Sequence, residues 1–256
     1  AGCNSTQKVM VPLYQAHAHN DYEHDRPLLD ALDQGFNSLE ADVYLIDGQL
    51  LVAHDRKDVT SSRTLEALYL APLYKRFEAY SGSIYPTSEK PLVLLVDFKD
   101  NDEAVYHELM RLLKKYKEMF TSANGDIFNN GAVTVIISGN GLSKIHELIV
   151  NEKNRLAFID GRVAKHLNNE FPAAQMPLIS ANWNNHFSWK GKGEISKKEA
   201  MKLKRIVDKT HEQGMLLRFW AIPNSKAAWK VLQSAGVDLI NTDDLEGLSS
   251  FLRAQK

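Results

Sequence analysis

The sequence predicts an α/β chain of the (β/α)8 TIM-barrel class, and three observations carry that prediction. Eight short strand-like apolar runs recur along its 256 residues, amphipathic helical stretches lie between them, and the length suits a barrel folded as one domain. Two of the runs are apolar almost without interruption, the habit of strands buried on both faces of a parallel sheet.

In chain order, the first two runs are residues 11–17 and 38–43, separated by a helical pattern over 27–34 that closes on Gly35. The third and fourth, 91–98 (PLVLLVDF) and 132–138 (AVTVIIS), are the continuous ones, with helices predicted over 102–120 and 142–151. Residues 156–160, 176–181, 215–221 (MLLRFWA) and 237–241 complete the eight. Helices over 196–213 and 225–235 end at Gly214 and Gly236. Residues 59–90 read as an insertion after the second strand. Residues 182–193 (NWNNHFSWKGKG) read as an aromatic loop on the carboxyl-end face, where barrels place their chemistry. On that basis residues 1–10 form a tether, residues 11–256 one barrel domain, and Trp183 is expected to line a substrate groove.

Thirty-one Lys and Arg stand against 32 Asp and Glu, a net charge of -1. That balance provides no broad field to gather nucleic acid or anionic lipid, so a phosphate-bearing ligand has to be captured locally. The lone cysteine, Cys3, excludes an intramolecular disulfide. The string Ala1-Gly2-Cys3-Asn4-Ser5 resembles the processing site of a bacterial lipoprotein and implies a membrane tether through Cys3 at the cell envelope. No apolar run reaches the roughly 18 residues of a membrane-spanning helix.

Candidate chemistry is densest between residues 16 and 55. Glu40 and Asp42 stand at i and i+2 of a strand, so both carboxylates point into the barrel about 6 to 7 Å apart along the chain. Two acids there need a compensating cation: a hard divalent ion held by oxygen, or salt bridges to Lys99 or Arg218. Asp97 adds a third strand-end acid from the neighbouring strand. His17 and His19 share the same two-residue spacing, and His54 follows a short apolar run. Imidazole is the side chain that both takes and gives a proton near neutral pH, while Lys99 and Arg218 supply charge suited to a phosphoryl group.

These residues resemble the glycerophosphodiester phosphodiesterase and phosphatidylinositol-specific phospholipase C-like superfamily. The matching phrases are Ala16-His17, Glu40-Ala41-Asp42-Val43, Asp47-Gly48 and His54-Asp55, with Arg218-Phe219-Trp220, Gly236-Val237-Asp238 and Asn241-Thr242-Asp243 near the end. The phrase His17-Ala18-His19-Asn20-Asp21-Tyr22 is similar to the "altered inheritance of mitochondria" branch. The resemblance implies a metal-dependent phosphodiester hydrolase on a phospholipase C-like barrel. His17 and His54 would be its acid/base pair, and Glu40, Asp42 and Asp97 the ligands of Mg²⁺ or Ca²⁺. His19, Asn20, Lys99, Arg218, Trp220 and Trp183 would bind a small glycerophosphodiester or lipid-derived substrate. The chain departs from the glycerophosphodiesterase pattern, which has His-Arg-Gly at the first strand and then Glu-Asn-Thr; Arg26 or Arg218 would have to replace the arginine. Asp97-Phe98-Lys99 looks like the third strand of spider-toxin sphingomyelinase D, so a lysophospholipid or sphingolipid-like diester stays open. Two other readings compete: a His-x-His barrel holding a zinc-like ion through nitrogen, and a barrel that binds a phosphodiester or glycan without turning it over.

Overall fold

The structure is a computed structural model that describes residues 9–100, 102–168 and 171–255. Twelve strands alternate with nine α-helices among the described residues. The strands are β1 Leu13–Ala18, β2 Phe36–Ile46, β3 Gln49–Val52, β4 Leu92–Phe98, β5 Ser122–Asn124, β6 Ile127–Asn129, β7 Val133–Gly139, β8 Asn154–Arg155, β9 Ala157–Arg162, β10 Leu178–Asn182, β11 Leu216–Trp220 and β12 Leu239–Thr242. The helices are α1 Leu29–Asp33, α2 Ala71–Ala79, α3 Glu103–Lys115, α4 Ser143–Asn151, α5 Val163–His166, α6 Trp183–His186, α7 Lys197–Glu212, α8 Lys226–Ala235 and α9 Leu245–Arg253.

Eight strands pair in parallel in the order β1-β12-β11-β10-β9-β7-β4-β2, and β1 pairs with β2 to close the barrel. This is the predicted (β/α)8 fold. β2 runs on to Ile46 and folds back antiparallel as β3. The Asp47-Gly48 turn between them has positive φ at both residues, the conformation that two-residue hairpins favour and that Gly tolerates freely. The hairpin carries the chain back to His54 beside the end of β2. Residues 59–90 wrap the outside, contributing α2 and the buried Tyr69 and Tyr85, whose hydroxyls bond Asp21 Oδ2 at 2.8 Å and the Phe36 carbonyl at 2.5 Å.

Inward and outward residues alternate along the strands, with one register shift in β1 between Leu13 and His17. Leu94, Val96, Val135 and Ile137 pack against the helices. Val93, Leu95, Ile136, Phe158, Leu178 and Leu239 fill the amino half of the barrel interior. Above that apolar floor the inward positions turn polar, because Glu40 is paired with Leu95, and one rung higher Asp42, Asp97 and Ser138 lie side by side. The ordering of layers therefore places the Asp42 and Asp97 rung at the carboxyl end.

Several predicted bounds shift. The helix expected over 102–120 ends at Lys115, and that over 27–34 shortens to α1. The expected loop 182–193 opens with the single turn α6, capped by the Asn182 side chain, which accepts from the amide of Asn184. The small antiparallel sheet β6-β5-β8 and helix α9 were not anticipated. Cys3 and most of the expected tether fall in residues 1–8, outside the described residues. No described helix is long and apolar enough to cross a membrane.

Candidate active site at the carboxyl end of the barrel

The polar rungs form two clusters. On one side Arg218, from β11, is buried among partners from four strands. Its Nη1 lies 2.7 Å from Glu40 Oε2, 3.0 Å from His17 Nε2 and 3.1 Å from Asn241 Oδ1, while Nε donates to Ser180 Oγ at 3.2 Å. An arginine only donates, so His17 Nε2 presents its lone pair and the ring proton sits on Nδ1, donated to Ser38 Oγ at 2.7 Å. Burial and the adjoining guanidinium push His17 down to about 4 even against its Glu40 contact, so the ring is neutral. Burial would raise Glu40, but Arg218 and His17 outweigh it and hold the carboxyl well below its usual range. Below the guanidinium, Asp160 accepts from Ser138 Oγ at 2.7 Å, Ser180 Oγ at 2.6 Å and Arg162 Nη1 at 2.8 Å.

The other cluster faces the mouth. Lys99 Nζ bridges Asp42 Oδ2 at 2.7 Å and Asp97 Oδ2 at 2.8 Å, with its side chain 24% exposed. The Tyr22 hydroxyl lies 2.6 Å from the same Asp42 oxygen, 3.0 Å from Asn20 Oδ1 and 3.3 Å from His54 Nδ1. His54 is 55% exposed, with Nδ1 3.5 Å from Asp42. Burial, then the neighbouring Glu40 and Asp97 carboxylates, raise Asp42 to about 6 despite Lys99. Asp42 Oδ1 is buried and has no hydrogen-bond partner. Trp220, on β11 beside Arg218, lies flanked by two guanidinium groups, Arg162 at 5.3 Å and Arg218 at 5.8 Å from its ring centre. On the rim, His19 Nδ1 is 2.7 Å from Asp243 Oδ1.

The sequence-selected residues are thus brought to one end of the barrel, with four corrections. His17 has 0% exposure and both ring nitrogens engaged, so it meets no substrate in this arrangement; the strand pattern gives the side it faces but not its depth. Glu40 turns to Arg218, and among the described residues no three acidic, imidazole or thiol side chains converge as metal ligands. Trp183 does not line the groove: its ring stacks on Phe187 at 4.1 Å, meets Phe219 edge-on and donates Nε1–H to the Trp189 carbonyl. Arg26 pairs with Asp30 and Asp33 on the outer surface, leaving Arg218 as the inward arginine. Sequence reasoning missed Tyr22, Asp160 and Arg162. Tyr22 ends the His-x-His-Asn-Asp-Tyr phrase, and Asp160 ends an apolar run as Asp97 does, so both carried a signal.

A hard divalent ion fits the open cluster. Asp42 and Asp97 offer oxygens on one rung, one of them without a partner, and of the causes that raise Asp42, burial first and then the neighbouring carboxylates, the second is what a dication relieves. Lys99 now bridges the two carboxylates as the only cation bound to them among the described residues.

The AIM6-like phosphodiesterase domain matches residues 5–160, and the glycerophosphoryl diester phosphodiesterase family matches residues 217–246. The chain is 28% identical to "Altered inheritance of mitochondria protein 6" of Eremothecium gossypii, over 96% of this chain and 71% of that protein. It is 25% identical to the homolog of Arthroderma benhamiae, over 94% of this chain and 84% of that one. Two solved structures share the fold: a glycerophosphodiester phosphodiesterase from Parabacteroides distasonis (TM-score 0.55, 15% identity, 94% and 97% of the two chains) and a phosphodiesterase of Oleispira antarctica in complex with the product sn-glycerol-3-phosphate (TM-score 0.57, 13% identity, 93% and 96%). The curated relatives are fungal, which overturns the expectation of a bacterial cell-envelope lipoprotein tethered through Cys3. With more than half of its length matched and a closed phosphodiesterase-type barrel beneath the match, the chain belongs to the AIM6-like phosphodiesterase family.

Proposed function

We propose that the barrel is a phosphoric diester hydrolase dependent on Mg²⁺ or Ca²⁺, acting on a glycerophosphodiester or a lysophospholipid-like diester. The observation that carries the reading is the open cluster: Asp42 with an unpartnered buried oxygen, Asp97 on the same rung, Lys99 bridging the two carboxylates, and the exposed His54 against them. Product bound in the Oleispira antarctica phosphodiesterase, sn-glycerol-3-phosphate, supports a small substrate of this class.

Asp42 and Asp97 would hold the cation, which when bound neutralises charge on a nonbridging phosphoryl oxygen. Lys99 and Arg162 add fixed positive charge at the mouth, Arg162 being anchored on Asp160 and on the Gly139 carbonyl at 2.9 Å. Tyr22 orients Asp42 and His54 together. His54 is exposed enough to reach a water or substrate hydroxyl and to take its proton. Trp220 offers an apolar edge for the glycerol or lipid part beside two cations. His17 acts through Arg218, by keeping the guanidinium in place, and Glu40 does the same from its other side.

The zinc-type alternative is disfavoured by the same geometry. His17 Nε2 faces a guanidinium and Nδ1 faces Ser38, so His17 has no lone pair to give a metal. Hydrolysis of bis(p-nitrophenyl) phosphate, glycerophosphodiesters and lysophospholipids, in EDTA and then with Mg²⁺, Ca²⁺ or Zn²⁺ restored, tests the proposal. Turnover that disappears in EDTA and returns with Mg²⁺ or Ca²⁺ is expected; revival by Zn²⁺ alone, or silence towards every diester, would overturn it.

A further inference from the structure

We propose that the amino-terminal mouth of the barrel binds a short alkyl alcohol, with its hydroxyl at Asn37 and its chain against the apolar floor of the barrel. The site lies at the opposite end from the open cluster, and the inference stands independently of the phosphodiesterase reading.

A cavity of about 370 Å³ is enclosed where seven of the eight barrel strands begin. That is more than twice the roughly 150 Å³ that holds a benzene-sized molecule in an apolar interior. β9 alone adds nothing to the wall, because there Phe158 is covered by Phe128 from β6, the two rings stacked with centres 5.3 Å apart. Val93, Ile136 and Leu239 close the inner end, and they belong to the layer that fills the amino half of the barrel. Val93 precedes Asp97 by four residues of β4, roughly 13 Å along the strand. Leu95 and Phe158 are fully buried between the two ends, so an occupant of the cavity does not touch the Lys99 cluster. At the outer end Phe128 and Leu216 remain exposed beside the opening, apolar surface of the kind that marks a ligand site rather than a sealed core.

Two polar groups on the wall define the head of the ligand. Asn37 is 4% exposed; its Nδ2 donates to the Pro91 carbonyl at 2.9 Å, while Oδ1 is buried with no hydrogen-bond partner among the described residues. An acceptor so placed calls for a donor. Lys90, the residue before Pro91, rests its Nζ 5.4 Å from the Tyr14 ring centre and pairs with no carboxylate among the described residues. The Tyr14 hydroxyl is held in turn, accepting from the Glu89 amide at 2.7 Å. The carboxylate on the wall, Asp238, is already engaged: Oδ2 accepts from the Leu217 amide at 2.8 Å and lies 2.8 Å from His211 Nε2. A hydroxyl suits both open groups, since it donates to an amide oxygen and accepts from an ammonium. A carboxylate only accepts, and an ether has no proton to give.

Calorimetric titration of the full chain with 1-octanol, octyl methyl ether and octanoate tests the site, in wild type, Asn37→Leu and Leu216→Trp. Wild type should bind one 1-octanol saturably, with Kd on the order of 10–100 μM. The ether, which cannot donate to Asn37, should bind about 3- to 10-fold more weakly, and that difference should vanish in Asn37→Leu. Leu216→Trp fills the opening from its exposed edge and should weaken 1-octanol at least about 10-fold. If Asn37→Leu does not fold, the preference of wild type for alcohol over ether and the effect of Leu216→Trp carry the test. Equal affinity of wild type for alcohol and ether, or tighter binding of octanoate, would overturn the hydroxyl assignment. Binding of 1-octanol unchanged in Leu216→Trp, or no saturable binding below about 1 mM, would overturn the site itself.

Discussion

Arg218 and Lys99 occupy the same barrel end and bind the same kind of partner, yet their surroundings differ. The Arg218 cluster is sealed: guanidinium, imidazole, carboxylates and serines all find partners, and the charges are buried. Around Lys99 the cluster is open, with Asp42 held up to about 6, one oxygen of it unpartnered, and His54 exposed. Pairing of charges therefore does not by itself mark the chemistry. A satisfied network positions, and an unsatisfied one beside solvent has capacity left for a ligand.

Breaking the sealed side should have the largest effect. Arg218→Met strands Glu40 in the interior and is expected to cost about 3–5 kcal/mol of stability, read as a fall in Tm, with activity lost alongside. On the open side, His54→Ala should lower kcat by about 10²- to 10⁴-fold while leaving chemical denaturation within about 0.5 kcal/mol of wild type. A loss of fold in that variant would erase the distinction between the two regions.

Asp21 sharpens the comparison, because it also has an unpartnered buried oxygen but lies away from solvent, bonded to the Leu28 amide and the Tyr69 hydroxyl. Burial raises it from its ordinary 3.8 to about 6, in spite of those bonds. The folded state therefore binds its proton more tightly than the unfolded chain. Its contribution is fully present below pH 3.8 and is lost as pH rises through about 6, by at most about 3 kcal/mol. Asp21→Asn should flatten that part of the stability profile and leave diester hydrolysis within a few-fold of wild type; an unchanged slope between pH 4 and 6 would contradict it. The smallest effect belongs to Trp220→Ala, which removes a ring between two cations, contacts worth about 0.5–1 kcal/mol each at partly exposed sites. KM should rise by up to about 10-fold with kcat nearly constant.

The barrel was legible because eight apolar runs and their helical spacers are local signals, and the side faced by Glu40, Asp42 and Asp97 follows from a period of two. Depth was not legible. His17 and His19 look equivalent in the sequence, and only the pairing of β1 with β12, and of β12 with β11, puts one under Arg218 and the other at the rim. Nor does a pattern say which cation meets which acid: Glu40 takes Arg218, and Asp42 shares Lys99 with Asp97. Trp183 misled because an aromatic in a loop after a strand looks available, whereas the cap at Asn182 turns the chain so that the ring packs on Phe219. Strands β5, β6 and β8 are two or three residues long, too short to show alternation. Helix α9 buries Leu245, Leu248, Phe251 and Leu252, a helical stripe present in the sequence but lying past the last strand counted.

The division between a positioning side and a reacting side is tested most directly by one variant, Asp42→Asn, with kcat/KM on a glycerophosphodiester and Tm measured on the same preparation. The substitution removes a carboxylate whose charged form burial disfavours, and it keeps the side chain's shape. Turnover should fall at least about 100-fold while Tm stays within a few degrees of wild type, or rises. Retained turnover, or a collapse of Tm like that expected for Arg218→Met, would contradict the division.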